Sequence, residues 1–434
     1  MTSSRLPSPP VADRRPKHAM HHGIELTDSY AWLKADNWQE VMRAPDKLPS
    51  DIRAVLEAEN AYAAAAMADT EALQATLFAE MKARIKEDDS TVPSRDGAWS
   101  YFMSYVQGGE YPRFCRKSST KKSAKDEVLI DGNALGAGLS YFSLGAASHS
   151  PDHKLVAYAT DDKGSEIYTI RVRDLATGKD LADEIGETNG NLEWAADSKT
   201  FLYTRLDDNH RPFAVYLHRL GTPAADDALV YREIDPGFFV GIGKTLSGRF
   251  LVVSSHDHET SEAYLIEAAT PDQVPRLVAA RETGHEYSVD HHGDGLVILT
   301  NNDGAEDFKI VTTPIEAPEP EHWTVIEPHI PGRLILSHTA YKHHLVRLER
   351  EGGLPRIVIR RWSDGAEHPI AFDEEAYSLG TSEGYEHDTT NLRFTYSSLA
   401  TPAEVYDYDM ESRERVLRKR QEVPSGHNPQ DYVT

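Results

Sequence analysis

The 434-residue chain sets 46 Lys and Arg against 70 Asp and Glu, a formal charge of −24. Such a surface repels polyanions, which excludes nucleic acid and anionic membranes as partners and favours cationic ones such as short basic peptides. A hydrophobic content of 39% is enough for a core, and the single cysteine, Cys115, excludes internal disulfides and cysteine-rich metal sites.

In chain order, residues 1–20 are rich in Ser, Pro and Arg without periodicity, and a disordered N-terminus is expected. Met1 to Ala12 has no apolar signal-peptide core. No apolar run approaches the roughly 18–20 residues that span a membrane. The expectation is therefore a soluble, cytoplasmic protein.

Residues 21–90 read as a helical and extended arm. His22-Gly23-Ile-Glu-Leu-Thr-Asp28-Ser-Tyr30-Ala-Trp32-Leu33 is an aromatic motif suited to packing on a neighbouring surface. Ser50 is a candidate N-cap for a helix over 51–67, with Ile52, Val55, Leu56 and Tyr62 on one face. Asp69 or Thr70 opens a second helix, with Leu73, Leu77, Phe78, Met81 and Ile85 at helical spacing.

From Trp99 the grammar changes. Gly145 to Leu181 reads as four short antiparallel strands joined by tight turns, Ser150-Pro-Asp-His153 among them. The same unit recurs at intervals of about 46 to 56 residues, with middle strands opening at Trp99, Leu155, Phe201, Phe250, Leu296, Leu345 and Leu392. Four strands per repeat at this period predict an all-β seven-bladed β-propeller over 91–421, preceded by the N-terminal arm. An array of small β domains or sandwiches is the alternative. Residues 422–434, with Pro, Gly and Asn, read as a linker.

Motifs with chemistry are few. Gly380-Thr-Ser382-Glu-Gly384 matches the G-x-S-x-G pattern, and Asp388 or Asp407 with His427 could complete a triad in chain order. A nucleophile elbow needs a helix straight after the serine; here another strand follows, so a loop is expected. His256-Asp257-His258-Glu259 has two imidazoles on one face of a strand end, but without a nameable third ligand it reads as a solvated loop. The pairs His21-His22, His291-His292 and His343-His344 put neighbours on opposite faces and make poor chelates. Cys115 lies in an alternating run and reads as a half-buried strand thiol. No P-loop or dinucleotide fingerprint occurs. No catalytic, cofactor-binding or metal-binding residue is assigned.

His22-Gly23…Asp28-Ser-Tyr30-Ala-Trp32-Leu33 resembles the N-terminal signature of the prolyl oligopeptidase family of serine peptidases. So do Leu56-Glu-Ala-Glu-Asn-Ala-Tyr62, Lys82-Ala-Arg-Ile-Lys-Glu-Asp-Asp89 and Gly109-Glu-Tyr-Pro-Arg113. Further stretches are Tyr141 to Gly145, Asp235 to Phe239, Ser255 to Glu262, Asn302 to Lys309, Tyr396 to Pro402 and Lys419 to Pro424. The resemblance runs from about Pro9 to Thr434 and is nearest the oligopeptidase B branch. It implies a seven-bladed propeller that caps an α/β-hydrolase domain and excludes large folded substrates. It also implies cleavage of short peptides after Lys or Arg by a Ser-Asp-His triad in that domain. The arm would pack on the hydrolase domain, and by itself would expose Tyr30, Trp32 and Leu33. The hydrolase domain would begin about where this sequence stops, so no triad residue is carried over and the chain alone is expected to be inactive. A free-standing propeller scaffold and a hydrolase using Ser382 are the other readings.

Overall fold

The computed structural model describes residues 7–121 and 125–432. Residues 1–6 of the expected disordered N-terminus lie outside this range. Two compact units are present, one built on the chain up to Lys86 and one on the strand-rich remainder from Glu87.

In the first unit, Lys17–His21 and Ile24–Asp28 form an antiparallel hairpin, so regular structure begins inside the stretch expected to be irregular. His22 and Gly23, at φ 51° and 79°, make the two-residue turn. Left-handed residues at both turn positions match the twist of the flanking strands. The two anticipated helices run over Ser50–Met67 and Glu71–Ala83. Ser50 is the first helical residue after Pro49 rather than the cap. The Thr70 hydroxyl donates to Met67 O at 2.7 Å, serving the preceding turn instead of capping the second helix. Glu71–Ala83 buries no residue, and Leu73, Leu77, Phe78, Met81 and Ile85 are all exposed. Tyr30 is exposed as expected, but Trp32 and Leu33 are half-buried. The Arg15 guanidinium stacks 3.8 Å over the Trp32 ring, and the indole N–H donates to Asp13 O. No helix among the described residues is long and apolar enough to cross a membrane.

The second unit is an all-β propeller of sequential antiparallel meanders. Five four-stranded sheets span residues 94–131, 239–277, 287–327, 333–369 and 378–420, and one seven-stranded sheet spans 143–232. The expectation of seven separate four-stranded blades is thus corrected to five. The reason lies in Lys179–Trp194, a 16-residue strand that continues where the sequence ended a blade at Leu181. Its run Gly186-Glu-Thr-Asn-Gly190 looks like a turn. Instead Glu187 and Gly190, at φ 57° and 88°, are absorbed as bulges within one strand. Thr188 is the hand-over residue, pairing Tyr168 on one side and Arg205 on the other.

The second strands are where the repeat placed them: Trp99–Ser104, Leu155–Asp161, Thr200–Leu206, Phe250–His256, Gly295–Thr300, His344–Glu351 and Asn391–Ser397. Several are apolar on both faces, as in Val156-Ala-Tyr-Ala159, because each sheet is sandwiched between two others. A left-handed residue stands two positions before the second strand in five of these hairpins. It is Gly97, His153, Ser198, Gly248 and Gly293 in turn.

Candidate functional site

Six apolar clusters join the strands of the propeller face to face. Five lie between sequential sheets, and one lies inside the seven-stranded sheet, where Ala157, Ile170 and Ile185 meet Trp194, Phe201 and Tyr203. The seam between the last sheet (378–420) and the first (94–131) is built differently. Arg393 pairs with Asp407 at 2.8 and 3.2 Å and donates across the seam to Val92 O, Pro93 O and Ser94 Oγ at 3.0–3.1 Å. Glu386 accepts from the Gly97 amide at 3.3 Å, and Lys419 pairs with Asp89 at 2.6 Å. The seam holds a polar cleft of about 570 Å³, with Ser382, Tyr385 and Arg418 on one side and Arg95 and Lys117 on the other. A hydrophobic seam resists opening through its buried area, whereas a polar one can exchange its hydrogen bonds with water.

The first strands of the sheets bring carboxylates together. Asp290 accepts backbone N–H bonds from Leu246, His291 and Ala340 at 3.2, 2.8 and 2.8 Å, and so ties three consecutive sheets. Glu383, exposed at its surface, takes a hydrogen bond from Thr339 Oγ1 at 3.3 Å; desolvation by the surrounding strands, and then the charge of Asp290, raise its carboxyl pKa. Tyr385 is exposed at 45%, yet desolvation by its neighbours, followed by the charges of Asp96 and Glu193, raises the pKa of its hydroxyl. Glu193 is paired with Lys244 at 2.7 Å. Asp96 and Glu193 thus act on Tyr385, and Asp290 acts on Glu383, two residues earlier in the same loop.

The residues singled out by sequence are scattered. Ser382 ends a strand, and Glu383 to Thr390 lead into Asn391–Ser397, with no helix behind the serine. Its prospective partners are held elsewhere. Asp388 pairs with Lys342 at 2.7 Å, and Asp407 is bound by Arg393 and Arg418. His427 Nε2 bonds Ala400 O at 2.8 Å. In His256 to Glu259, Asp257 Oδ1 accepts the amides of Glu259 and Thr260, which makes the stretch a closed turn. His291 bonds Ser247 Oγ, while His292 stacks on Trp362 with centroids 4.3 Å apart. His344 is buried and His343 exposed, as alternation requires. Cys115 is buried against Ser104, and burial raises its thiol pKa, which disfavours the nucleophilic thiolate.

Among the described residues, one group of potential metal ligands does converge: Asp96, His149 and His153, with one donor atom from each all within 4.8 Å of one another. His149 Nε2 lies 2.8 Å from Asp96 Oδ2, and His153 Nδ1 lies 2.9 Å from Tyr101 Oη. The His149 ring stacks on Tyr101 at 3.6 Å, and Tyr385 meets it edge-on at 5.0 Å. Asp96 is far from the histidines in sequence, so no spacing rule could join them. The only local signal was His153 in the turn Ser150-Pro-Asp-His153.

Comparison with known proteins gives a consistent picture. Residues 9–421 match the family model of the prolyl oligopeptidase N-terminal β-propeller domain. The chain is 36% identical to dipeptidyl aminopeptidase BI of Pseudoxanthomonas mexicana, over 98% of this chain and 60% of that protein. It is 29% identical to Protease 2 of Moraxella lacunata, over 94% of this chain and 57% of that protein. Among solved structures, oligopeptidase B of Leishmania major superposes with a TM-score of 0.91 at 27% identity, over 98% of this chain and 62% of that one. Oligopeptidase B of Trypanosoma brucei with covalently bound antipain gives 0.90 at 29%, with the same coverage. The chain thus spans about three-fifths of the length of these relatives.

Proposed function

Since the chain belongs to the prolyl oligopeptidase family, we propose that it is the arm and propeller of an oligopeptidase-B-like serine peptidase. Its role is to dock on an α/β-hydrolase domain and to filter the peptides that reach it. One observation carries the reading: helix Glu71–Ala83 presents Leu73, Leu77, Phe78 and Met81 to solvent, with Ile85 exposed just after it. A contiguous apolar face of this kind marks an interaction surface. The relatives carry further length in which a hydrolase domain would supply that cover.

In this reading the seven-stranded sheet is two blades sharing Lys179–Trp194, which makes seven blades in all. The packing of its two halves through Trp194 and Phe201, in the manner of neighbouring sheets, supports this count. The carboxylates Asp96, Glu193, Asp290 and Glu383 would draw in short peptides carrying Lys or Arg, by raising their local concentration. The catalytic serine, aspartate and histidine would belong to the hydrolase domain, so the chain alone turns over no peptide. We place it in the cytoplasm on composition alone. The 36% identity to a dipeptidyl aminopeptidase favours a second reading, in which the assembled enzyme releases dipeptides from N-termini.

A fluorogenic peptide ending in Arg tests the first point. The chain alone, and its Ser382→Ala variant, should show equal, background hydrolysis. Turnover lost in Ser382→Ala would establish the hydrolase reading instead. With a hydrolase domain supplied, an N-terminally blocked peptide separates the two specificities: it is cleaved by an endopeptidase and refused by a dipeptidyl aminopeptidase.

A further inference from the structure

We propose that Asp96, His149 and His153 form a binding site for a divalent metal ion of the zinc type, joining the first sheet of the propeller to the seven-stranded sheet beside the polar seam. Two imidazoles and a carboxylate are a donor set that zinc accepts, with water in the remaining position. His153 has φ 61° and occupies the turn slot two residues before a second strand, which is glycine at 97, 248 and 293 and serine at 198. A left-handed non-glycine residue costs roughly 1–2 kcal/mol, so His153 sits there, like Ser198 in its own turn, at a local conformational cost. Strain of this sort is concentrated at functional sites.

The surroundings orient the donors. Tyr101 Oη engages His153 Nδ1 at 2.9 Å, which leaves Nε2 as the free nitrogen. That Nε2 lies 3.8 Å from where a Cβ on Gly97 would sit, next to Asp96 in the chain. Such a partner on the second ring nitrogen is the usual way a ligating histidine is held. His149 is buried and fixed by its stack on Tyr101, whereas Asp96 and His153 are half-buried and free to adjust. Zinc bonds of about 2.0–2.1 Å in a tetrahedron place donors about 3.3 Å apart. The widest separation here, up to 4.8 Å, must therefore close, and the 2.8 Å contact between His149 and Asp96 must open as the proton between them leaves. The nearby cation does not dominate the field. Arg116 donates to His153 O at 2.7 Å, but its Nε is paired with Glu127 at 2.8 Å. A metal here would pin the first sheet to the seven-stranded sheet, across the interface that also holds the apolar cluster of Tyr101, Phe114, Val156 and Tyr158.

The test is calorimetric titration of the chelator-treated full 434-residue chain with zinc chloride, with cobalt(II) as a spectroscopic substitute. His153→Gly is the main variant, since glycine already serves this slot in equivalent turns and the fold is retained; Asp96→Asn is the second. A His256→Asn/His258→Asn double variant is the control. The expected result is one equivalent bound, tetrahedral cobalt bands, and affinity at least tenfold weaker in both main variants, with the control unchanged. The melting temperature should rise with zinc in the parent chain and not in His153→Gly. No saturable binding, or a loss below tenfold in either main variant, overturns the proposal.

Discussion

Arg393→Ala tests whether the polar seam is the weak interface of the propeller. Arg393 and Asp407 are 14% and 12% exposed at the side chain, and Arg393 makes five hydrogen bonds, three of them across the seam. Removing one member of a buried ion pair costs about 3–5 kcal/mol. Two features reduce this figure. Arg418 still holds Asp407 at 2.7 Å, and water from the adjoining cleft can reach the orphaned Pro93 carbonyl. A loss of about 2–3 kcal/mol, concentrated at the seam, is the expected outcome. Hydrogen exchange read by mass spectrometry is the assay. Amides of Thr91, Gly97 and Tyr105, and those of strand Asn391–Ser397, should exchange about 30- to 150-fold faster. Amides around Trp194 and Phe201 should be unchanged. Equal acceleration in every sheet, or none at the seam, would refute the view that this interface opens independently.

Three further outcomes follow from single residues. His218 is fully buried between Asp183 at 3.0 Å and Asp227 at 2.9 Å. Burial alone would lower its pKa from 6.5, but the two carboxylates outweigh it and raise it. The stabilisation is therefore complete below about pH 6.5 and lost as pH rises through the folded value; urea midpoints of the parent chain relative to His218→Gln should converge as pH rises above 6.5, and a gap that widens would contradict the charged clamp. Cys115 should stay unreactive to a disulfide reagent in the native chain and react as one equivalent after unfolding, because burial raises its pKa. Gly132→Ala would put a Cβ 2.7 Å from Pro112 O, a backbone atom that cannot yield cheaply, so a stability loss of about 1–3 kcal/mol is expected by urea denaturation.

The repeat was legible because second strands sit between two sheets and carry unbroken apolar runs, such as Val156 to Ala159 and Leu296 to Leu299. Their starts could be read to within one residue. The separation into four-stranded sheets broke down at Gly186 to Gly190, where turn-like residues are tolerated as bulges because both neighbouring strands supply partners. The half-burial of Trp32 was missed because it depends on Arg15 and the Asp13 carbonyl, outside the aromatic motif. The convergence of Asp96 with His149 and His153 depends on one sheet packing against the next, which no local pattern encodes.

Association with a hydrolase domain tests the central claim most directly. The matching hydrolase portion of Moraxella lacunata Protease 2 would be expressed separately, mixed with this chain, and followed by sedimentation velocity together with hydrolysis of a short Arg peptide and of a folded protein. The account predicts a one-to-one complex that cleaves the short peptide, spares the folded protein, and is weakened by Leu77→Asp/Phe78→Asp on the exposed helix face. Absence of a complex, or association indifferent to that double substitution, would contradict it.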